Sequence, residues 1–308
     1  MSSTLLCENP SVSLVVIAYN SSEYIIETLE SIRKQTYENI ELIIADDRST
    51  DNTVEIVNSW LAKNSNRFIR STLVVNAKNL GVAPNCNAGL AHAKGEWVKL
   101  IAGDDLLEAS AISSYIEYLG KHPDARAVLA NLKLFGEKFG NITIDPNFGA
   151  LSARDQLRHL LTNSRPAFGP SGIAHRDTLL RLGGFDERVP MLEDLPMSLR
   201  FLSNGVKIYL LEDYLVRYRI RSSSLSGGND FDDKYWAMLD AIFFPEIMRQ
   251  KLFLLLWSKK IDYFLWRWRN SPFIKIKAFR MAIKGFDVLA WKLFFLEKAK
   301  SRISKNIG

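Results

Sequence analysis

The chain has 308 residues, 47% hydrophobic and 24% charged, the proportions of a globular protein with a sizeable core, long enough for one large α/β domain plus an appendage. Its net charge of +6 is uneven: residues 251–308 hold 14 Lys or Arg against Asp262, Asp287 and Glu297, a net of +11, which leaves −5 for the rest. With two cysteines only, Cys7 and Cys86, a disulfide scaffold is excluded and a reduced, cytoplasmic setting is expected.

The first residues, MSSTLLCENP, have no basic start and no long apolar run, so no signal peptide is expected. No run of about 18 apolar residues predicts a transmembrane helix. Val12–Ala18, VSLVVIA, reads as a buried strand, and Tyr19, Asn20, Ser21 and Ser22 as the turn after it. Glu23 to Gln35 reads as a helix, with Tyr24, Ile25, Leu29 and Ile32 at helical spacing and Ser22 as its cap. Ile40 to Ala45 is a second buried strand, followed by Asp46 and Asp47. Thr53 to Leu61 reads as a helix, Leu73 to Val75 as a short strand ending in Asn76, and Ala88 to Lys94 as a further helix. A fourth strand lies in Gly95 to Asp105, GEWVKLIAGDD.

Strands alternating with helices predict an open α/β sheet, in which ligands bind beyond the carboxyl ends of the strands. The polar residues collect at those ends. Asp104 and Asp105 are adjacent, and like charges side by side are costly unless a cation or solvent offsets them. A hard divalent cation that also binds phosphate is one reading. The other is a solvated turn whose Asp caps a helix from Leu106. A second acid pair, after Ala45, is hard to assign to capping again. There is no GxGxxG after the first strand and no GxxxxGK[ST], which disfavours dinucleotide enzymes and P-loop NTPases.

VSLVVIAYN, SIRKQTYENIELIIADDRSTDNT, NLGVAPNCNAGLAHAKGEWVKLIAGDD and GGFDERVPMLEDLPMSLR occur in this order over residues 12 to about 225. Together they resemble a family 2 glycosyltransferase of the bacterial O-antigen and capsule polysaccharide type. The resemblance implies a GT-A fold: a Rossmann-like mixed sheet flanked by helices. It implies a catalytic domain over 1–228, with a donor half at about 12–105 and an acceptor half at about 106–228. The nucleotide sugar, expected to be a UDP-sugar, is then bound by Ala18, Tyr19, Asn20, Glu23, Asp46, Asp47, Asn79, Gly81, Asn87, Asp104 and Arg221. The metal, Mn2+ or Mg2+, falls to Asp104, because Ala102 stands where the family has its first acid; Asp105 is a second-shell candidate. Ser171, Gly172 and Glu193 belong to the acceptor side. Asp194 is the expected base, with Glu193 as runner-up. Arg221 stands where relatives often carry a His. Arg219 is a candidate structural partner for a sheet-end carboxylate. Ser222 to Gly228 reads as a loop able to close over donor.

The resemblance implies inverting transfer to a hydroxyl of a glycan, expected to be linked to polyprenyl diphosphate, in surface polysaccharide synthesis. A nucleotidyltransferase of related fold and a non-catalytic nucleotide-sugar binder are the rival readings. Residues 229–308 interleave Trp, Phe, Lys and Arg at helical spacing. They are expected to form an α-helical basic and aromatic extension that docks on an anionic membrane surface, placing the protein on the inner face of the cytoplasmic membrane. Packing against the body or in a homodimer is the alternative, and a nucleic-acid partner is not expected.

Overall fold

The computed structural model describes residues 9–163, 169–221, 239–253, 255–257 and 259–261. The chain divides into two units, Met1–Lys234 and Tyr235–Gly308. The described part of the first is a mixed α/β fold around a nine-stranded sheet in the order β3-β2-β1-β4-β8-β6-β9-β5, with β7 beside β6. Its strands are β1 (Val12–Ala18), β2 (Ile40–Asp46), β3 (Arg70–Val75), β4 (Trp97–Ala102), β5 (Leu106–Leu107), β6 (Ala127–Gly136), β7 (Gly140–Ile142), β8 (Gly172–His175) and β9 (Tyr209–Ile220). The main helices are α1 (Ile25–Arg33), α2 (Thr53–Asn64), α3 (Val82–His92), α4 (Ala111–Lys121), α5 (Pro146–Ala150), α6 (Ala153–Asn163), α7 (Arg176–Arg181) and α8 (Asp194–Ser203).

β1 pairs in parallel with β2 on one side and β4 on the other. Both faces of these strands are covered, which is why they read as unbroken apolar runs. Val12, Leu14, Val16, Ile40, Leu42 and Ile44 are fully buried. Each contributes about 1.5–3 kcal/mol relative to an exposed side chain. Beyond β4 the sheet turns antiparallel through β8, which then pairs with β6. Because β2 and β4 flank β1 on opposite sides, the chain reverses direction there and leaves a crevice at the carboxyl ends of the three strands.

Several elements differ from the sequence expectation. β3 starts at Arg70 and not at Leu73, because the Arg70 guanidinium pairs with buried Glu41 at 2.5 Å and enters the sheet with its charge met. α3 starts at Val82 and not near Ala88. Its polar start resembles a loop, but Asn85 is buried and donates to the carbonyls of Ala18 and Ala45. Ser22 does not cap α1; its N–H donates to Asp51.

In the second unit a π-helical turn, Leu239–Phe243, leads into a helix, Phe244–Arg249. Phe243 and Ile247 are buried, and Trp257 is half exposed. The Ser222–Gly228 loop, and the basic and aromatic segment with Trp236, Trp266, Trp268 and Trp291, lie outside the described residues. Among the described residues no helix is long and apolar enough to cross a membrane.

Candidate active site

The turn after β1 is held from the turn after β2. Asn20 adopts a left-handed conformation at φ 47, which Asn tolerates better than most residues. Its N–H donates to Ser49 Oγ, and its Oδ1 accepts from the Thr50 N–H, each at 2.8 Å. Tyr19 is left 48% exposed, a flat aromatic surface at the crevice. Ala18 is buried and its carbonyl accepts the Asp47 N–H. Glu23 is exposed, next to Tyr24.

Asp46 and Asp47 are both buried. Asp46 accepts from the Ser49 N–H at 2.8 Å and from the Ser49 hydroxyl at 2.5 Å. Asp47 accepts from the N–H groups of Leu80 and Gly81 and from Asn76 Nδ2, at 2.8–3.1 Å. It thereby folds the loop before α3 against the end of β2. Gly81 occupies φ +96, and a Cβ there would meet the Pro190 carbonyl at 2.9 Å. Asn79 is exposed on the same loop.

At the end of β4 the two neighbouring acids part company. Asp104 keeps its carboxylate towards the crevice, where Arg221 Nη2 meets Oδ2 at 2.5 Å. Asp105 turns inward and is 1% exposed. Its Oδ1 accepts the Arg219 N–H at 2.8 Å, and its Oδ2 has no hydrogen-bond partner. Burial, and then the Asp104 charge, hold the Asp105 carboxyl well above the usual carboxylate range. Arg219 donates to the Asp104 carbonyl and to Glu27 at 2.8 Å. Its guanidinium lies between the Tyr24 and Phe135 rings, 4.4 Å from each centroid. Arg221 rests on Tyr24 as well, at 4.9 Å. Leu106 begins a strand and not a helix, so the GDD acids cap nothing.

The segment before α8 reaches the same place through Pro190. Its carbonyl accepts the Ala83 N–H at 2.9 Å, so the first turn of α3 is tied to the segment leading to Glu193 and Asp194. Asp194 opens α8; its Oδ1 accepts the Leu195 N–H at 2.6 Å. A side chain at Gly169 would begin 3.5 Å from Asp194 Oδ2. Burial raises the Asp194 carboxyl above the usual carboxylate range. Burial and then the Asp194 charge push Glu193 up to about 8. The pair therefore holds one charge near neutral pH more readily than two. Ser171 is buried, and its carbonyl accepts from Tyr115 Oη at 2.5 Å and from the Ala130 N–H at 3.2 Å. Gly172 begins β8. Asn87 spends its amide on the GGFD turn: Oδ1 accepts the Phe185 N–H, and Nδ2 donates to the Phe185 carbonyl and to Glu187. In this structure Asn87 joins α3 to the turn before α8.

A sheet crevice with acids at two strand ends, and a carboxyl pair at a helix start, suits a group transfer from a nucleotide. The family model for Glycosyl transferase family 2 matches residues 13–177. The chain belongs to this family. It is 29% identical to the putative glycosyltransferase EpsE of Bacillus subtilis over 225 residues, 70% of this chain and 74% of EpsE. Among solved structures it is similar in fold to S. aureus TarS 1–349 in complex with UDP-GlcNAc. There the TM-score is 0.64 at 20% identity, over 91% of this chain and 79% of that one. It is also similar to the mannosyltransferase PcManGT of Pyrobaculum calidifontis, solved with GDP-Man and Mn2+. That TM-score is 0.57 at 22% identity, over 78% of this chain and 65% of that one. The fold is therefore GT-A, and the protein is a glycosyltransferase.

Among the described residues no three His, Cys, Asp or Glu side chains gather where they could hold a metal ion. Asp105 faces inward, so of the two GDD acids only Asp104 offers a carboxylate oxygen to the crevice. That donor set does not hold an ion by itself. It fits Mg2+ or Mn2+ that brings phosphate oxygens and water as its other ligands. Two side chains at this site escaped the reading of the sequence. Tyr24, taken as one of the apolar residues of a helix, is the surface on which both arginines lie. Lys99 is fully buried in β4 directly beneath the GDD turn. A lysine inside an apolar strand run was the signal available for it.

Proposed function

We propose that this glycosyltransferase moves a sugar from a UDP-sugar to a glycan hydroxyl with inversion, using Asp194 as the general base. The observation that supports this is the Pro190 link, which ties the segment leading to Glu193 and Asp194 to Gly81 and the start of α3. In this reading donor and base share one crevice. The Tyr19 ring offers a stacking surface for the base. A carboxylate oxygen has two lone pairs, so Asp46 and Asp47 would share their internal bonds with a ring N–H and a ribose hydroxyl. Such a carboxylate rejects a base lacking that N–H by being left unpaired. Asn79 and the Gly81 loop lie along the path of the diphosphate.

Arg221 carries a permanent charge 2.5 Å from Asp104 and would exchange that partner for a phosphate oxygen. A Mg2+ or Mn2+ ion held by Asp104 would supply further neutralisation of the departing diphosphate. Asp194 takes the proton of the acceptor hydroxyl as it attacks the anomeric carbon, while Glu193 stays protonated and keeps the site at a single charge. Ser171 and Gly172 border the acceptor. Transfer to a lipid-linked surface glycan at the membrane is the wider setting we propose.

The test is a thermal-unfolding screen of UDP, UDP-GlcNAc, GDP and GDP-mannose, with and without Mn2+, followed by UDP-release assays on the compounds that bind. A ligand at 100 times its Kd stabilises the fold by about 2.7 kcal/mol. UDP compounds should raise the midpoint, more so with Mn2+. A response to GDP compounds alone would reject the uridine reading.

A further inference from the structure

Lys99 is a buried ionisable group in the sheet that the reaction, as described, does not use. It sits in the middle of β4, flanked by Leu14 of β1 and Ile173 of β8, and is 0% exposed. Burial pulls its ammonium down to about 7, with the Asp105 charge opposing the fall. Placing an ammonium there costs several kcal/mol, and a methionine would fill a similar volume without that cost. A lysine in this position is informative only through what it touches.

Its Nζ donates to the Leu100 carbonyl at 2.8 Å and to the Pro170 carbonyl. Its charge faces Asp105, whose Oδ2 is buried without a hydrogen-bond partner. One ammonium therefore ties the segment 169–171 to β4, the strand that ends in the GDD turn. Within that segment the Ser171 carbonyl is already fixed by Tyr115 and Ala130. Pro170 is fixed by Lys99. Gly169 then passes Asp194 so closely that a Cβ there would stand 3.5 Å from Oδ2.

We propose that Lys99 is a positioning residue for transfer: by tying Pro170 to β4 it sets the wall against which Asp194 is held, and so the distance from the base to the donor diphosphate. It touches neither substrate and acts through the segment 169–171. The inference rests on the assignment of Asp194 as base. Misplacing a reacting group by about 1 Å can cost about 100-fold in rate, and loops supported by a second layer of contacts are where such precision is kept.

The experiment compares the full-length wild-type protein with Lys99→Met, using UDP-GlcNAc as donor and water as acceptor, with UDP affinity measured by calorimetry. UDP release should fall about 10- to 100-fold in kcat. KM for UDP-GlcNAc and Kd for UDP should stay within twofold. Backbone amides of 169–172 should exchange with deuterium faster, while those of β1 and β2 do not. Unchanged kcat, or loss of UDP affinity in step with kcat, would overturn the proposal; so would unchanged exchange at 169–172. Should Lys99→Met fail to fold, Lys99→Leu, which likewise removes the donor to Pro170 and keeps an apolar side chain in β4, carries the same readings. A wild-type protein that releases no UDP counts against the proposed donor, and the exchange measurement still decides the role of Lys99.

Discussion

Replacing Asp194 by Asn separates chemistry from architecture. The Leu195 N–H bond to Oδ1, at 2.6 Å, survives, since the amide oxygen accepts in the same place. The clearance to Gly169 is unchanged because the side chains match in size. What disappears is the ability to take a proton. A positioned general base contributes about 10²- to 10⁴-fold, so kcat should fall by that factor, equivalent to about 3 to 5 kcal/mol in the barrier. The substitution also removes the charge that, after burial, helps raise Glu193. Asp194→Asn should therefore unfold at the same or a higher denaturant concentration than wild type at pH 8, and bind UDP equally well. The measurements are UDP release under saturating donor, calorimetric UDP affinity, and urea unfolding at two pH values. Release within threefold of wild type, in a variant that folds and binds UDP, would refute Asp194 as base and move the role to Glu193.

The remaining expectations concern the frame around that base. Asp47→Asn turns one acceptor oxygen into a donor facing the amides of Leu80 and Gly81; it should cost about 1–3 kcal/mol in urea unfolding and weaken UDP binding. Gly81→Ala places a Cβ at φ +96 against the Pro190 carbonyl. A non-glycine residue in such a conformation costs about 1–2 kcal/mol before the clash is counted, so UDP release should drop together with stability. The Glu193 carboxyl is raised from 4.5 to about 8, so the folded state binds more protons than the unfolded state between those values. Stability from this group is thus full at low pH and falls as pH rises from about 4.5 to about 8. Carboxyls lowered by their partners, such as Asp186 beside Arg188 and Glu41, act the other way and lose stability as pH falls towards 4. Urea midpoints should therefore fall from about pH 5 to 6.5 and level off above about pH 7, where Lys99, lowered from 10.5 to about 7, acts the other way; UDP release rises towards neutral pH as Asp194 ionises, and a midpoint rising from pH 5 to 6.5 would reject the assignment to Glu193.

Much of the donor half could be read in one dimension. VSLVVIA and IELIIA are long β-branched runs, and such runs are buried on both faces wherever helices cover a parallel sheet. Their bounds agree with β1 and nearly with β2. The acids after β2 and β4 were visible as breaks in polarity. Boundaries failed where a polar group had a hidden partner. Arg70 looks like a loop residue until Glu41 is placed beside it, and Asn85 until two strand-end carbonyls are.

The sequence by itself determined the family, the strand–helix alternation and the identity of the acids at the strand ends, because local periodicity and motif order need no knowledge of distant contacts. Tertiary structure alone decided what each acid does. Asp104 and Asp105 are neighbours in the chain, yet one faces Arg221 in the crevice and the other faces Lys99 in the core. The second arrangement depends on β8 and β9, which follow about 70 and 100 residues later. Pro190 meeting Gly81, and Gly169 meeting Asp194, are likewise contacts between chain segments that no spacing rule relates. Charge and burial at such points are set by which surfaces the sheet brings together, and that is a property of the folded chain.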